Sequence, residues 1–231
     1  MRRPQTNVGA QQIEEIRDRL RLAFSSSYLT LLSIIQGTAL AVLFGKIDHL
    51  IQGPGFGASQ ALMALGLFLL IVLIWNQYQM GVMLYNWTPK LLDSFIPFTF
   101  GLCEFTAILG LERGFRITLL TLGAMFVLGI VAFEYQYAQV QKSSEPTNVI
   151  HRVHAGFRRV DDLSCVASSI LLFLTSAIVW GRFGTAASFP ILASGVVIVI
   201  AIGHGVRQAV HWHFVQLRLQ AVASSAQSSP P

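Results

Sequence analysis

The side chains with the most chemical capacity in this chain are the ionisable and amide groups set inside long apolar runs. Three carboxylates, Asp93, Glu104 and Glu134, and three amides, Gln36, Asn76 and Gln77, stand in such runs. A charged group at the centre of a bilayer costs on the order of 3 kcal/mol by insertion scales, so each carboxylate has to be compensated. Glu104 is thirteen residues into a run of about 21, close to its midpoint, where no headgroup is within reach. At that depth a carboxyl must be neutralised by a proton, a cation or hydrogen-bond partners. No Lys or Arg shares its depth. Arg113 and Arg116 stand further out, and Glu112 is spaced i, i+4 from Arg116, which leaves Glu104 to amides such as Gln36 or to water. Asp93 lies about two residues into the same run, where a helix N-terminus favours an acid. Glu134 is near the end of the next run, beside Tyr135, Gln136 and Tyr137. Residues 93, 97, 100 and 104 follow i, i+4, i+7, i+11, so Asp93, Pro97, Phe100 and Glu104 share one helix face. Pro97 removes a backbone donor and leaves the carbonyl four residues back without its helical bond, which predicts a hinge there. Broken helices at membrane depth often line cavities.

The elements that carry these groups follow from composition. The 231 residues are 53% hydrophobic and only 12% charged, with a mean hydropathy of +0.58. A water-soluble domain carries about 25% charged residues, so an ordinary cytosolic enzyme is excluded. The pattern predicts an all-α membrane bundle. Six segments approach or exceed the roughly 20 apolar residues that cross a bilayer, at about 27–45, 61–85, 91–111, 116–138, 163–183 and 188–206. Ser59, Thr88 with Pro89, Asp162, and Ser188 with Pro190 read as helix starts. Asn76, Gln77, Asp93 and Glu134 then fall at similar depth on spans two to four, where they predict a polar vestibule or a hydrogen-bond network.

Two amphipathic helices are expected to lie on the membrane surface, one at about 10–24 capped by Asn7, and one at 149–160 within a cytoplasmic elbow at 139–162. The chain thus divides into an interfacial segment at 1–26, a membrane domain at 27–206, and a cytoplasmic helical extension at 207–231 that ends in a disordered tail from about Ser224. With both termini cytoplasmic, twelve Lys and Arg fall on the inner side and four on the outer. The net charge of +5 is largely this bias and calls for no nucleic acid. Short loops and the lack of a secretory leader suit a bacterial inner membrane. Gly37, Ala41 and Gly45, four residues apart in span one, would let helix backbones approach closely, within the chain or between subunits.

Motifs for catalysis or cofactor binding are not found. Cys103 and Cys165 differ in depth by roughly 15 Å, too far for a disulfide. Only His204 among six histidines lies within a span, which disfavours a haem, and His151 with His154 lack a third metal ligand. His211 and His213 read as part of an interfacial belt with Trp212 and Phe214. Span four reads Thr121-Leu122-Gly123-Ala124-Met125, with no serine where an intramembrane serine protease of the rhomboid type needs one. No catalytic residue, metal or cofactor is predicted.

Arg21-Leu22-Ala23-Phe24-Ser25 leading into span one, the Trp75-Asn76 patch in span two and a Leu-rich span three resemble the six-helix bacterial potassium channels that open with Phe-Ser-Asp-Gly. This chain has Phe24-Ser25-Ser26-Ser27 at the motif. The resemblance implies an oligomeric pore lined by span one. Together with the buried carboxylates it suggests passage of a small cation or proton between spans two to four, with a homo-oligomer in the bilayer as the assembly. The alternative is a non-catalytic structural or assembly subunit whose polar groups join it to other membrane subunits.

Overall fold

The computed structural model describes residues 8–53, 56–84, 91–143, 149–180 and 188–227, and all of its elements are α-helices. In chain order they are α1 Val8–Gln52, α2 Ala58–Leu84, α3 Leu91–Arg113, α4 Phe115–Ser143, α5 Val149–Trp180 and α6 Ser188–Gln227. Each contains a stretch long and apolar enough to cross a membrane, so the chain is a polytopic membrane protein with lipid as its solvent. Large apolar side chains such as Leu102, Leu163 and Val199 accordingly point outward.

The helices alternate in direction, as the contacts across each seam reveal. Ser168 meets His204, Asp161 meets Arg207 and Phe157 meets His211, so numbering falls along α5 as it rises along α6 and the two are antiparallel. Tyr28 meets Tyr78 and Phe44 meets Phe68, which makes α1 and α2 antiparallel too. Parallel neighbours are α1 with α3, through Gln36–Glu104 and Lys46–Glu112, and α2 with α6, through Ser59–Ser194 and Asn76–Gln208. Helices α2 to α6 form a ring, each touching the next and α6 closing on α2. α1 packs along the seam between α2 and α3.

A single residue turns the chain between α3 and α4. Gly114 adopts φ +107°, a conformation that favours glycine, and its carbonyl accepts from Ile117 N at 3.2 Å. Thr118 Oγ1 then donates to the Ala107 carbonyl at 2.9 Å and closes the hairpin. Because α3 ends at Arg113, the helical i, i+4 spacing expected to join Glu112 to Arg116 does not exist. Glu112 reaches α1 instead, with Lys46 Nζ at 2.8 Å and His49 Nδ1 at 3.1 Å.

Several expected boundaries move, for a common reason. The two surface helices are not separate elements: 10–24 and 149–160 continue without a break into the membrane-spanning parts of α1 and α5. Neither junction contains a proline, and Ser25-Ser26-Ser27 does not oppose helix strongly enough to stop an established one. Asp162 is therefore not a cap but lies thirteen residues inside α5. α6 carries the helical extension expected beyond 206 on to Gln227, but His211 is buried against Phe157 at 4.3 Å between ring centroids rather than placed in an interfacial belt. The tail expected from Ser224 is helical through Gln227. α2 starts at Ala58, just before Ser59, with the Gln60 side chain accepting from Gly57 N at 3.1 Å. Asn7 as a cap, Thr88 with Pro89, Arg182 and the 144–148 connection lie outside the described residues.

Candidate functional site

Asp93, Pro97, Phe100 and Glu104 all lie on the buried face of α3, and the helix stays continuous through Pro97. Pro97 has no N–H to offer the Asp93 carbonyl, so the weakened turn begins at the buried acid itself.

At the Glu104 level, the carboxyl is only 2% exposed and accepts from Gln36 Nε2 at 3.0 Å. Among the described residues its second oxygen, Oε2, has no hydrogen-bond partner, nor has Gln36 Oε1. A glycine makes this pairing sterically possible: a Cβ on Gly101 would stand 2.6 Å from Ile35 Cγ2, so only glycine lets α1 approach α3 this closely. Gly101→Ala is expected to force the helices apart and cost about 1–3 kcal/mol. Gly37→Ala on the outer face of α1, with nothing within 4 Å of an added Cβ, should change stability by less than about 0.5 kcal/mol. Thermal unfolding of the detergent-solubilised variants compares the two. Equal midpoints would mean that the Gly101 contact does not seat Gln36.

Toward the Asp93 end the bundle forms a half-open cavity of about 120 Å³, with Tyr28 of α1 in its wall. That is comparable with the roughly 150 Å³ cavities known to admit a benzene-sized ring. α2 contributes Gln77 and Tyr78, α3 contributes Asp93, and α4 contributes Tyr135 and Gln136. From α6 come His204, Arg207 and Gln208. Gln77 Oε1 and the Tyr78 hydroxyl are buried without a hydrogen-bond partner among the described residues. The Tyr78 ring packs edge-on against Phe100 at 5.9 Å and Tyr28 at 6.2 Å, which carries the polar lining up from the cavity toward Glu104.

The remaining predicted groups are engaged elsewhere. Asn76 Nδ2 donates to Gln208 Oε1 at 2.9 Å, while Gln208 Nε2 donates to the Leu73 carbonyl at 3.0 Å, bolting α2 to α6. Glu134 faces α5, where Arg158 grips both carboxylate oxygens, Nε at 2.8 Å and Nη2 on the other. It is half-buried at the outside of the ring rather than in the cavity. Gly37, Ala41 and Gly45 lie on the exposed side of α1, and among the described residues nothing stands within 4 Å of a Cβ placed at Gly37 or Gly45.

Sequence reasoning does not single out the ion pair between Asp161 and Arg207. Asp161 is fully buried and also accepts from the Tyr137 hydroxyl at 2.8 Å, while the Arg207 guanidinium lies over the Phe133 ring at 5.7 Å. Ending span six before its first arginine places Arg207 outside the membrane domain. The available signal is an acid and a base at matching ends of two consecutive antiparallel spans. The sequence singles out His204 but not its partner: Nε2 lies 3.0 Å from Ser168 Oγ and the ring stacks on Phe126 at 4.8 Å.

No protein-family model matches the chain, and no curated protein or solved structure matches it either.

Proposed function

We propose that this protein moves a proton or a small cation across a membrane, along a path through spans two to four with α6 completing its wall. The observation that carries the reading is the Glu104–Gln36 pair, two buried side chains with one free acceptor oxygen each among the described residues. It stands on the same α3 face as Asp93, which lines the cavity about 16 Å away along the helix. Two buried acceptor oxygens without partners among the described residues suit a proton or cation as their occupant. Beyond Glu104 the bundle is filled by Leu43, Met63, Ala107, Ile108 and Leu111, so transport requires that half to open. A transporter or gated channel fits this closure better than a standing pore.

The membrane is a bacterial inner membrane in this reading, with both termini cytoplasmic, supported by the twelve-to-four division of basic residues. Copies associate through α1, whose small residues Gly37, Ala41 and Gly45 are exposed as a close helix contact requires. The same exposed stripe favours a second reading, a structural or assembly subunit of a larger membrane complex. Purified protein in sealed vesicles, assayed for proton and potassium flux, decides between them. Flux from a pure homo-oligomer is the expected result, whereas an inert chain that is stable only with other polypeptides would replace the transport reading with the subunit reading. Single cysteines at Ser143 and Ser59 test orientation: Ser143→Cys should react only from the cytoplasmic side and Ser59→Cys only from the outer side. The reverse pattern would invert the topology.

A further inference from the structure

We propose that the cavity walled mainly by α2, α3, α4 and α6 binds a small organic cation of the quaternary or tertiary ammonium class, and that this is the cargo of the path described above. The assignment rests on that transport reading and names its substrate.

Six aromatic side chains stand in the wall. Tyr28, Tyr78, Phe100, Phe126, Phe133 and Tyr135 reach the cavity from α1, α2, α3 and α4. Aromatic faces attract a cation through their quadrupole, and several around one void form the cage that recognises alkylammonium groups. Charge points the same way. Asp93 brings a carboxyl group to the wall, and Arg207 is held in an ion pair with Asp161. The rest of the lining is mostly carbon, including Leu70, Ile74 and Met125. A hard inorganic cation exchanges its hydration shell for several oxygen ligands in one place, which this wall does not concentrate. An alkylammonium ion carries its charge under methyl groups that apolar and aromatic walls accommodate. The volume of about 120 Å³ suits a head of a few carbons around nitrogen.

Choline and its neutral isostere 3,3-dimethyl-1-butanol provide the test, because they share a shape and differ in charge. Calorimetric titration of the full-length protein in detergent should show choline binding at least tenfold tighter than the isostere. Asp93→Asn should weaken choline by on the order of tenfold, and Phe100→Leu, which keeps bulk but removes the ring, by severalfold. Val199→Ala, on the outward side of α6 and no part of the wall, should leave choline affinity unchanged. Equal binding of the two compounds to the unmodified protein, or binding of neither, overturns the proposal without any variant having to fold. Vesicle flux keeps the two readings apart: proton or potassium flux with no choline binding rejects the organic cation alone. Choline binding to a protein that moves no ion, choline included, rejects transport and leaves a binding site without transport, so the cargo assignment fails with it.

Discussion

Arg207→Gln is expected to remove most of the folded protein, and adding Asp161→Asn to restore much of it. The single variant leaves a fully buried Asp161 carboxylate without its countercharge. Losing one partner of a buried pair costs about 3–5 kcal/mol, a large share of the total stability of a protein this size. The asparagine introduced by Asp161→Asn would still accept from the Tyr137 hydroxyl, which now donates to the carboxylate at 2.8 Å, and would bury no charge. The double variant should therefore recover at least about 2 kcal/mol relative to Arg207→Gln alone. Monodisperse yield and thermal unfolding in detergent measure the difference. Strict additivity of the two changes would show that Asp161 and Arg207 do not act as a pair. The neighbouring Glu134–Arg158 pair, about 40% exposed on each side, should behave differently, with truncation of either member costing far less stability than Arg207→Gln.

Glu104→Gln should leave the protein folded and suppress its ion flux by at least tenfold. Glutamine keeps the shape of the side chain and an oxygen to accept from Gln36 Nε2, which Glu104 Oε1 now does at 3.0 Å. What it loses is the capacity to carry a proton or to balance a cation. Flux through the parent protein should vary across pH 5 to 8, and the residual flux of the variant should not. A variant that transports as well as the parent at every pH in that range would assign Glu104 a purely structural hydrogen bond. Gln36→Leu supplies the complementary outcome, because it strands the buried carboxyl and is expected to cost stability by about 1–3 kcal/mol.

The face of α3 was legible from residue order because helical periodicity is a local property. Once 91–113 is helical, Asp93, Pro97, Phe100 and Glu104 must align, and the presence of polar groups on an otherwise apolar helix says that this face is the inner one. The pairing of Gln36 with Glu104 was legible for a related reason. Both lie near mid-span, and no basic residue shares that depth.

Other features depended on which helices meet, and that is decided by shape rather than by spacing. Asn76, Gln77 and Glu134 are at comparable depth, yet they look toward α6, the cavity and α5 respectively. Depth is set by distance along the chain, but azimuth around the bundle is set by packing, such as Gly101 against Ile35 and the closure of α6 on α2. Span length is misjudged wherever a charge is equated with an end. Asp161, Asp162 and Arg207 fall outside spans drawn from residue order, because a lone charge in lipid is too costly to bury. Pairing Asp161 with Arg207 across α5 and α6 lowers that cost, and only the tertiary structure supplies the partner. The sequence by itself determined that the chain has six apolar helices, which residues share the buried face of α3 and which carboxyl stands nearest mid-span, since composition and period settle these one helix at a time. The tertiary structure alone decided the cavity, the Asp161–Arg207 pair and the outward placement of Gly37, Ala41 and Gly45, because each depends on how helices far apart in the chain pack side by side at one depth.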